Sequence, residues 1–150
     1  MHVGWHRKMP LQTIPLAEPS AAIDIETELL AALQQSAPQG RNETITLSVN
    51  EADGRLVAGL VGSTSYGWLL IKMLWVADER RRQGYGRALV LNAFNHAKSL
   101  GCHNAWLDTS NRNAMQFYRA LEFNVFGMIE KSGSQEPAGH QRWFLRCPIP

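Results

Sequence analysis

The sequence predicts one α/β domain in which helices accompany a single mixed sheet. Its 150 residues suffice for one hydrophobic core, and 45% hydrophobic with 19% charged residues is typical of globular proteins. The apolar residues switch between the two-residue period of strands and the longer period of helices. In chain order the elements are α-β-β-β-α-β-α-β-β, a mixed order that favours helices packed on one sheet.

The chain begins with a segment that lacks any hydrophobic period and contains three prolines. We therefore expect residues 1–20 to form an extended N-terminal leader and residues 21–150 to form the domain. A helix is predicted over residues 22–35, because Ile25 and Leu29 recur at helical spacing with further apolar residues. The Pro-Gln-Gly sequence that follows ends it.

Strand patterns occupy the next part of the chain. From Thr44 apolar and polar residues alternate as far as a turn at 50–54. Two further apolar strands are predicted at 56–61 and Trp68–Val76, with a Ser/Gly turn at 62–67 between them.

A second helix is predicted from Gly86 to Gly101, a residue type that commonly follows a helix end. The remaining predicted elements are a buried strand at 105–109, a short helix at 114–121, and two strands at Asn124–Glu130 and 141–147.

Charge and composition exclude several classes of protein. A net charge of +2 is too balanced for a general nucleic-acid-coating protein. No apolar run reaches the ~20 residues of a membrane span, and no apolar segment of a secretory signal follows the basic N-terminus. Two isolated cysteines fit a reducing cytoplasm, and no His/Cys pair has the spacing of a metal site. We expect a cytoplasmic protein without membrane, nucleic-acid or metal partners.

The chemically informative stretch, residues 74–89, joins a strand to a helix and reads LWVADERRRQGYGRAL. The first turn of a helix presents unpaired N–H groups and about half a positive charge. Gly84 and Gly86 allow a ligand to approach this backbone closely. The stretch therefore predicts a phosphate or pyrophosphate site, with added positive charge from Arg81, Arg82 and Arg87.

Other interpretations of this stretch are weaker. A lone G-x-G is more often a tight turn, and an arginine run is more often a solvated surface. Their coincidence at a strand-to-helix junction favours the anion site. A Rossmann fingerprint fails because Leu89 holds the third glycine position, and a P-loop fails because no Gly-Lys-Ser/Thr follows.

Two landmarks resemble one family. Arg81-Arg82-Gln83-Gly84-Tyr85-Gly86 matches the Arg/Gln-x-x-Gly-x-Gly/Ala signature of the GNAT superfamily of N-acetyltransferases. About 30 residues further on, the stretch from Leu107 through Asn111, Ala114 and Phe117-Tyr118 to Phe123 is similar to the family's closing block. The order of elements over residues 42–147 also resembles the family.

The resemblance implies the GNAT fold, a mixed and mostly antiparallel sheet of about six to seven strands, splayed at the centre and flanked by helices. It also implies that acetyl-CoA is the co-substrate. This ligand is expected in a cleft where the strand ending at Leu74-Trp75-Val76 diverges from residues 105–109.

The resemblance further implies a role for each site residue. The pantetheine arm would pair with the main chain of Leu74 and Val76, on either side of Trp75. The pyrophosphate would lie on the amides of Arg81, Arg82, Gln83, Gly84, Tyr85 and Gly86, with Arg87 adding charge. Asn111 would reach the pantetheine arm, Ala114 and Phe117 would line it, and Tyr118 would be the general acid near the thioester sulfur.

Three positions depart from the family pattern. The family often carries a Glu on the strand before the glycine loop, whereas Trp68–Val76 contains no carboxylate. Arg82 replaces a common Gly, and Glu122 replaces the usual Gly before the aromatic residue. We expect a strained turn if Glu122 needs a positive φ.

The implied function is transfer of acetyl from acetyl-CoA to a primary amine by direct attack, with a small molecule as acceptor. The alternatives are a catalytically silent acyl-CoA-binding module, supported by the missing strand carboxylate, and an acetyltransferase acting on a protein amine. A homodimer is compatible with this interpretation.

Overall fold

The computed structural model describes residues 14–150, so most of the predicted leader lies outside the described residues. The chain divides into two compact units, the first ending at Ala37 and the second spanning Pro38–Pro150. Helix α1 (Ala21–Ser36) belongs to the first unit and agrees with the predicted helix to within one residue at each end. The boundary between leader and domain stays a prediction.

One sheet of six strands dominates the second unit, with the strand order β1-β2-β3-β4-β6-β5. Only β3 and β4 pair in parallel, and the other neighbours are antiparallel. The predicted single mixed sheet is thereby confirmed, with six strands. They are β1 (Thr44–Asn50), β2 (Leu56–Ser65), β3 (Trp68–Val76), β4 (Asn104–Thr109), β5 (Asn124–Glu130) and β6 (Gln141–Pro148).

The turn between β2 and β3 is shorter than predicted. Residues 62–65 continue β2 because all four pair with β3, the first two pair with β1 as well, and Thr64 is buried there. Only Tyr66 and Gly67 form the turn, with φ values of 52° and 74°. Two consecutive positive φ values define the tight hairpin turn whose twist matches that of its strands. Strand pairing has overridden the turn preference of the Ser/Gly sequence.

Two helices of the second unit contribute to the same buried cluster as the sheet. They are α2 (Tyr85–Ser99) and α3 (Arg112–Ala120), and a single turn of 3-10 helix at Asp78–Arg80 precedes α2. The apolar stripe of α2 is buried, as its helical period predicts. In α3 the buried side chains are Met115 and Tyr118.

Strand β3 contains a bulge at the point where it stops pairing with its parallel neighbour β4. Strand β3 pairs with β4 only over residues 68–70. Immediately beyond, Ile71 pairs with Gly62 and Met73 with Val61, so Lys72 has no partner in β2. A bulge bends its strand and increases the local twist. The two strands therefore diverge after residue 70 and leave a gap in the sheet.

Candidate active site

A cleft of about 420 Å³ lies where β3 and β4 diverge. Three elements line it, namely β3 beyond the pairing with β4, the end of β4, and one side of α3. The lining residues are Ile71, Lys72, Met73, Leu74, Trp75, Leu107, Asp108, Thr109, Ala114 and Tyr118. Four of the residues proposed from the sequence lie in this cleft: Leu74, Trp75, Ala114 and Tyr118.

Tyr118 reaches the cleft from α3 and is 5% exposed. Its ring makes edge contacts with Phe117 and Phe123, at centroid distances of 5.1 and 5.4 Å. Burial disfavours the phenolate and raises the pKa of Tyr118 from 10.0 to about 12. The side chain is therefore a neutral phenol at physiological pH, which can donate a proton but cannot act as a base.

The N-terminus of α2 presents its backbone N–H groups without a side-chain cap. Gly84 is the N-cap with a φ of +85°, and no atom lies within 4 Å of where a Cβ would be. The first bond of the helix runs from Ala88 N–H to the carbonyl of Gly84. The N–H groups just before Ala88 thus have no partner within the helix.

Gly86 has a different role from Gly84, because it allows a close approach between α2 and α3. A Cβ at this position would lie 3.1 Å from the ring of Phe117. The aromatic ring of α3 packs on the first turn of α2 at this point. Phe117 therefore supports the helix terminus, and it is absent from the cleft lining.

The arginines before α2 differ in their contacts. Arg80 pairs with Glu51, and Arg81 pairs with Asp78 at 2.9 Å and donates a long bond of 3.4 Å to the carbonyl of Val76. Over residues 14–150, Arg82 and Arg87 form no ion pair, and both are exposed. The unpaired cations at the terminus of α2 are therefore Arg82 and Arg87.

The backbone of Arg82 is strained, with a φ of 61°. Glu122 likewise has a φ of 72°, so the condition set by the sequence for a strained turn is met. Both occupy positions where the family pattern has glycine. Side chains with a Cβ adopt this conformation only at a cost of about 1–2 kcal/mol.

The other proposed residues shape the surroundings of the cleft. Gln83 donates a hydrogen bond to the carbonyl of Glu79 and so closes the loop on itself. Tyr85 and Val76 are half-buried and pack on the core. Asn111 caps α3, since its side-chain oxygen accepts a 3.0 Å hydrogen bond from Ala114 N–H. Its amide nitrogen is not used by the cap.

Two charged residues of the cleft were not proposed as site residues from the sequence. Asp108 on β4 is bound by Arg142 of β6, with Nε at 2.7 Å and Nη2 at 2.5 Å from Oδ2. Lys72 on β3 is the bulged residue. The sequence indicated a missing carboxylate only for β3, whereas the cleft obtains one from β4. In the sequence, both residues could have been identified as site candidates because each is a charged residue within an otherwise apolar strand.

Two neighbouring features lie outside the cleft. His140 meets Ser110 at the end of β4, with Nε2 2.9 Å from the hydroxyl oxygen. A smaller hollow of about 330 Å³ is lined by Arg55, Leu56, Trp75, Ala77, Asp78 and Glu79. The Arg55 and Glu79 side chains pair with each other there at 3.0 Å.

Within residues 14–150, no helix is both long enough and apolar enough to cross a membrane. In the same part of the chain, no three His, Cys, Asp or Glu side chains gather as a metal site requires.

The fold and the sequence together assign the chain to a family. The model of the acetyltransferase (GNAT) family matches residues 13–123. This range contains the splayed strands, the glycine loop and the helix that carries Tyr118. The protein belongs to the GNAT family.

Relatives and solved structures agree with this assignment. The chain is 32% identical to the acetyltransferase Atu2258 of Agrobacterium fabrum over 85 residues, which are 57% of this chain and 62% of that protein. It is 31% identical to blasticidin-S acetyltransferase of Streptomyces morookaense over 77 residues, 51% of this chain and 57% of that protein. The matched part thus spans about three fifths of each relative. A crystal structure of a protein from Agrobacterium tumefaciens superposes with a TM-score of 0.80 at 25% identity, covering 93% of this chain and 99% of that one.

Proposed function

We propose that this protein is an acetyl-CoA-dependent N-acetyltransferase that acts by direct attack of an amine. The observation that carries the proposal is the buried phenol of Tyr118 in the gap between β3 and β4. This proton donor lies at a break in a sheet, and the neighbouring Phe117 packs on an uncapped helix terminus. Such an arrangement suits a long ligand that ends in a thioester.

The described residues fit such a ligand. Beyond residue 70, β3 has no strand partner on the side of β4, so its main chain is available to the amide groups of pantetheine. The loop from Arg82 to Gly86 offers N–H groups to a pyrophosphate, and open space at Gly84 leaves room for it. The N–H of Arg81 is excluded from this set, because it donates to the carbonyl of Asp78. Arg82 and Arg87 add unpaired positive charge, and Asn111 retains a free amide nitrogen for the pantetheine arm.

When bound, acetyl-CoA supplies an activated acetyl group to the acceptor amine. As the amine nitrogen bonds to the acetyl carbon and the C–S bond breaks, Tyr118 would give its proton to the departing sulfur, because its raised pKa keeps the phenol protonated. The proton that the amine loses would pass to solvent, from which the phenol is reprotonated. The apolar residues of the cleft, Ile71 and Leu107 among them, limit water around the reacting groups.

A small-molecule amine is the proposed acceptor. Blasticidin-S acetyltransferase, one of the relatives, is named for a small molecule. Beyond the fold itself, the second unit adds only short turns and one loop between β5 and β6 with which to hold a protein substrate.

The proposed compartment is a reducing cytoplasm. Both cysteines are free and buried, which agrees with it.

The test combines binding of CoA, measured by calorimetry, with release of its thiol on a panel of amines and peptides. We expect CoA to bind and small amines to be acetylated faster than peptides. Binding without thiol release would identify a silent acyl-CoA-binding module, and faster acetylation of peptides would identify a protein acetyltransferase.

Two glycine variants form a matched pair for the same assay. Gly84 and Gly101 flank α2, share a φ of about +85°, and have no atom within 4 Å of a Cβ. Gly84→Trp and Gly101→Trp therefore impose similar backbone strain. We expect only Gly84→Trp to abolish CoA binding. Equal CoA affinity in the two folded variants would contradict a pyrophosphate site at this loop.

A further inference from the structure

Two side chains of opposite charge line the same cleft. Lys72 lies on β3 and Asp108 on β4, and both line the space in which Tyr118 is found. In the part of the chain that the structure describes, no ion pair joins them. The cleft therefore contains one positive and one negative side chain that do not neutralise each other.

One oxygen of Asp108 is positioned and the other is free. Asp108 is opposite Phe144 in the sheet, and Arg142 is two residues away on the same face. Both Arg142 nitrogens bind Oδ2, and the guanidinium also lies 5.6 Å from the centre of the Phe144 ring. Among residues 14–150, Oδ1 has no hydrogen-bond partner. A carboxylate held in this way is pre-oriented to accept hydrogen bonds from an ammonium group.

The charge on the opposite wall has the opposite preference. Lys72 is exposed at the bulge, and its ammonium group carries three donors and no acceptor. Over the described residues it has neither an ion pair nor a side-chain hydrogen bond. An anionic group in the cleft would provide the partner that the protein lacks.

We infer that the acceptor is a small zwitterionic amine, which binds with its ammonium group on Oδ1 of Asp108 and its anionic group directed toward Lys72. The bound ammonium releases one proton to solvent before the neutral nitrogen attacks the thioester. This inference rests on the proposed function, because it assigns the acceptor of the same cleft. Asp108 and Lys72 then determine specificity. A second cation in the acceptor is disfavoured, because in place of the anionic group it would approach Lys72, which is itself positive.

Three amines with the same four-carbon chain test the inference. Butylamine, γ-aminobutyrate and putrescine end respectively in a neutral, an anionic and a cationic group. Their binding to the CoA complex is measured by calorimetry, and their acetylation by thiol release. We expect affinity and kcat/KM to be highest for γ-aminobutyrate and lowest for putrescine. Calorimetry keeps this result separate from the proposed function, because it needs no acetyl transfer.

Variants assign the preference to the two residues. Asp108→Asn keeps the shape of the side chain and removes its charge, so all three amines should bind about 10- to 100-fold more weakly. Lys72→Met should reduce only the preference for γ-aminobutyrate, by about two- to fivefold, as expected for an exposed charge. Glu130→Gln, on β5 outside the cleft, is the matched control and should change nothing.

Binding of CoA to each variant establishes that it is folded. Asp108→Asn with unchanged amine affinity would overturn the inference, and so would a wild-type protein that prefers putrescine. Absence of thiol release together with the expected order of binding would overturn the proposed acetyl transfer and leave the acceptor class intact.

Discussion

The two walls of the cleft are built in different ways. The β3 wall and the loop after it offer main-chain groups, together with the charges of Lys72 and Arg87, from one continuous stretch of sequence, residues 71–87. The β4 wall offers side chains from three elements, and its ion pair joins residues 34 positions apart. A main-chain site depends on backbone shape, whereas a side-chain site depends on strand register. We therefore expect the β4 wall to respond more strongly to single substitutions.

The largest effect is expected at Tyr118. Tyr118→Phe keeps the ring contacts with Phe117 and Phe123 and removes only the proton donor. A positioned general acid contributes about 10²- to 10⁴-fold, so kcat should fall within this range while CoA affinity stays constant. Steady-state kinetics and calorimetry measure the two quantities. Tyr66→Phe, in the turn between β2 and β3, is the control and should retain full activity.

A near-normal kcat for Tyr118→Phe would mean that the thiolate leaves without help. The pH profile provides a second check, because burial raises the pKa of Tyr118 to about 12. The phenol stays protonated through the usual tyrosine range, so activity should not decline near the ordinary value of 10.0. A descending limb centred at that ordinary value would contradict a buried donor.

A smaller effect is expected on the main-chain wall, at Arg87. Arg87 forms no ion pair within residues 14–150, whereas Arg81 is held by Asp78 at 2.9 Å. Arg87→Ala should weaken CoA binding about tenfold, as for the loss of one charge-assisted hydrogen bond. Arg81→Ala should weaken it less. The difference should shrink as salt is raised, since exposed charges are screened.

Calorimetry at low and high salt checks this order. Arg119→Ala, an exposed arginine in the last turn of α3, controls for the general loss of positive charge. A larger loss for Arg81→Ala than for Arg87→Ala would show that the Asp78 pair opens when the ligand binds.

The contrast between main-chain and side-chain walls also explains which features of the site could be predicted from the sequence. The order of elements and the glycine loop could be predicted, because period and motif are local properties of the chain. The bulge at Lys72 and the pairing of Asp108 with Arg142 could not. Both follow from strand register, which is set by contacts between residues distant in sequence. The Ser/Gly turn at 62–67 was wrong for a related reason, since pairing with β3 extends β2 to Ser65.

The smallest effects concern residues in the left-handed backbone conformation. They separate the strain that such a residue adds to the fold from the contribution of its side chain to CoA binding. Arg82 and Glu122 have φ values of 61° and 72°, and glycine adopts this conformation without steric strain. Arg82→Gly and Glu122→Gly should each stabilise the protein by about 1 kcal/mol, or roughly 2–4 °C in Tm.

The two variants should differ in CoA binding, which distinguishes the loop from the rest of the fold. Arg82→Gly also removes an unpaired charge beside the α2 terminus, so its affinity for CoA should fall several-fold despite the gain in Tm. Glu122→Gly should leave affinity and kcat unchanged. Glu122→Ala is the matched control, because it removes the same side chain and retains the strain. If Ala raises Tm as much as Gly does, the side chain of Glu122 destabilises the fold and its backbone angle does not. Unchanged CoA affinity in Arg82→Gly is a separate outcome, and it would mean that the charge of Arg82 does not contribute to binding the pyrophosphate.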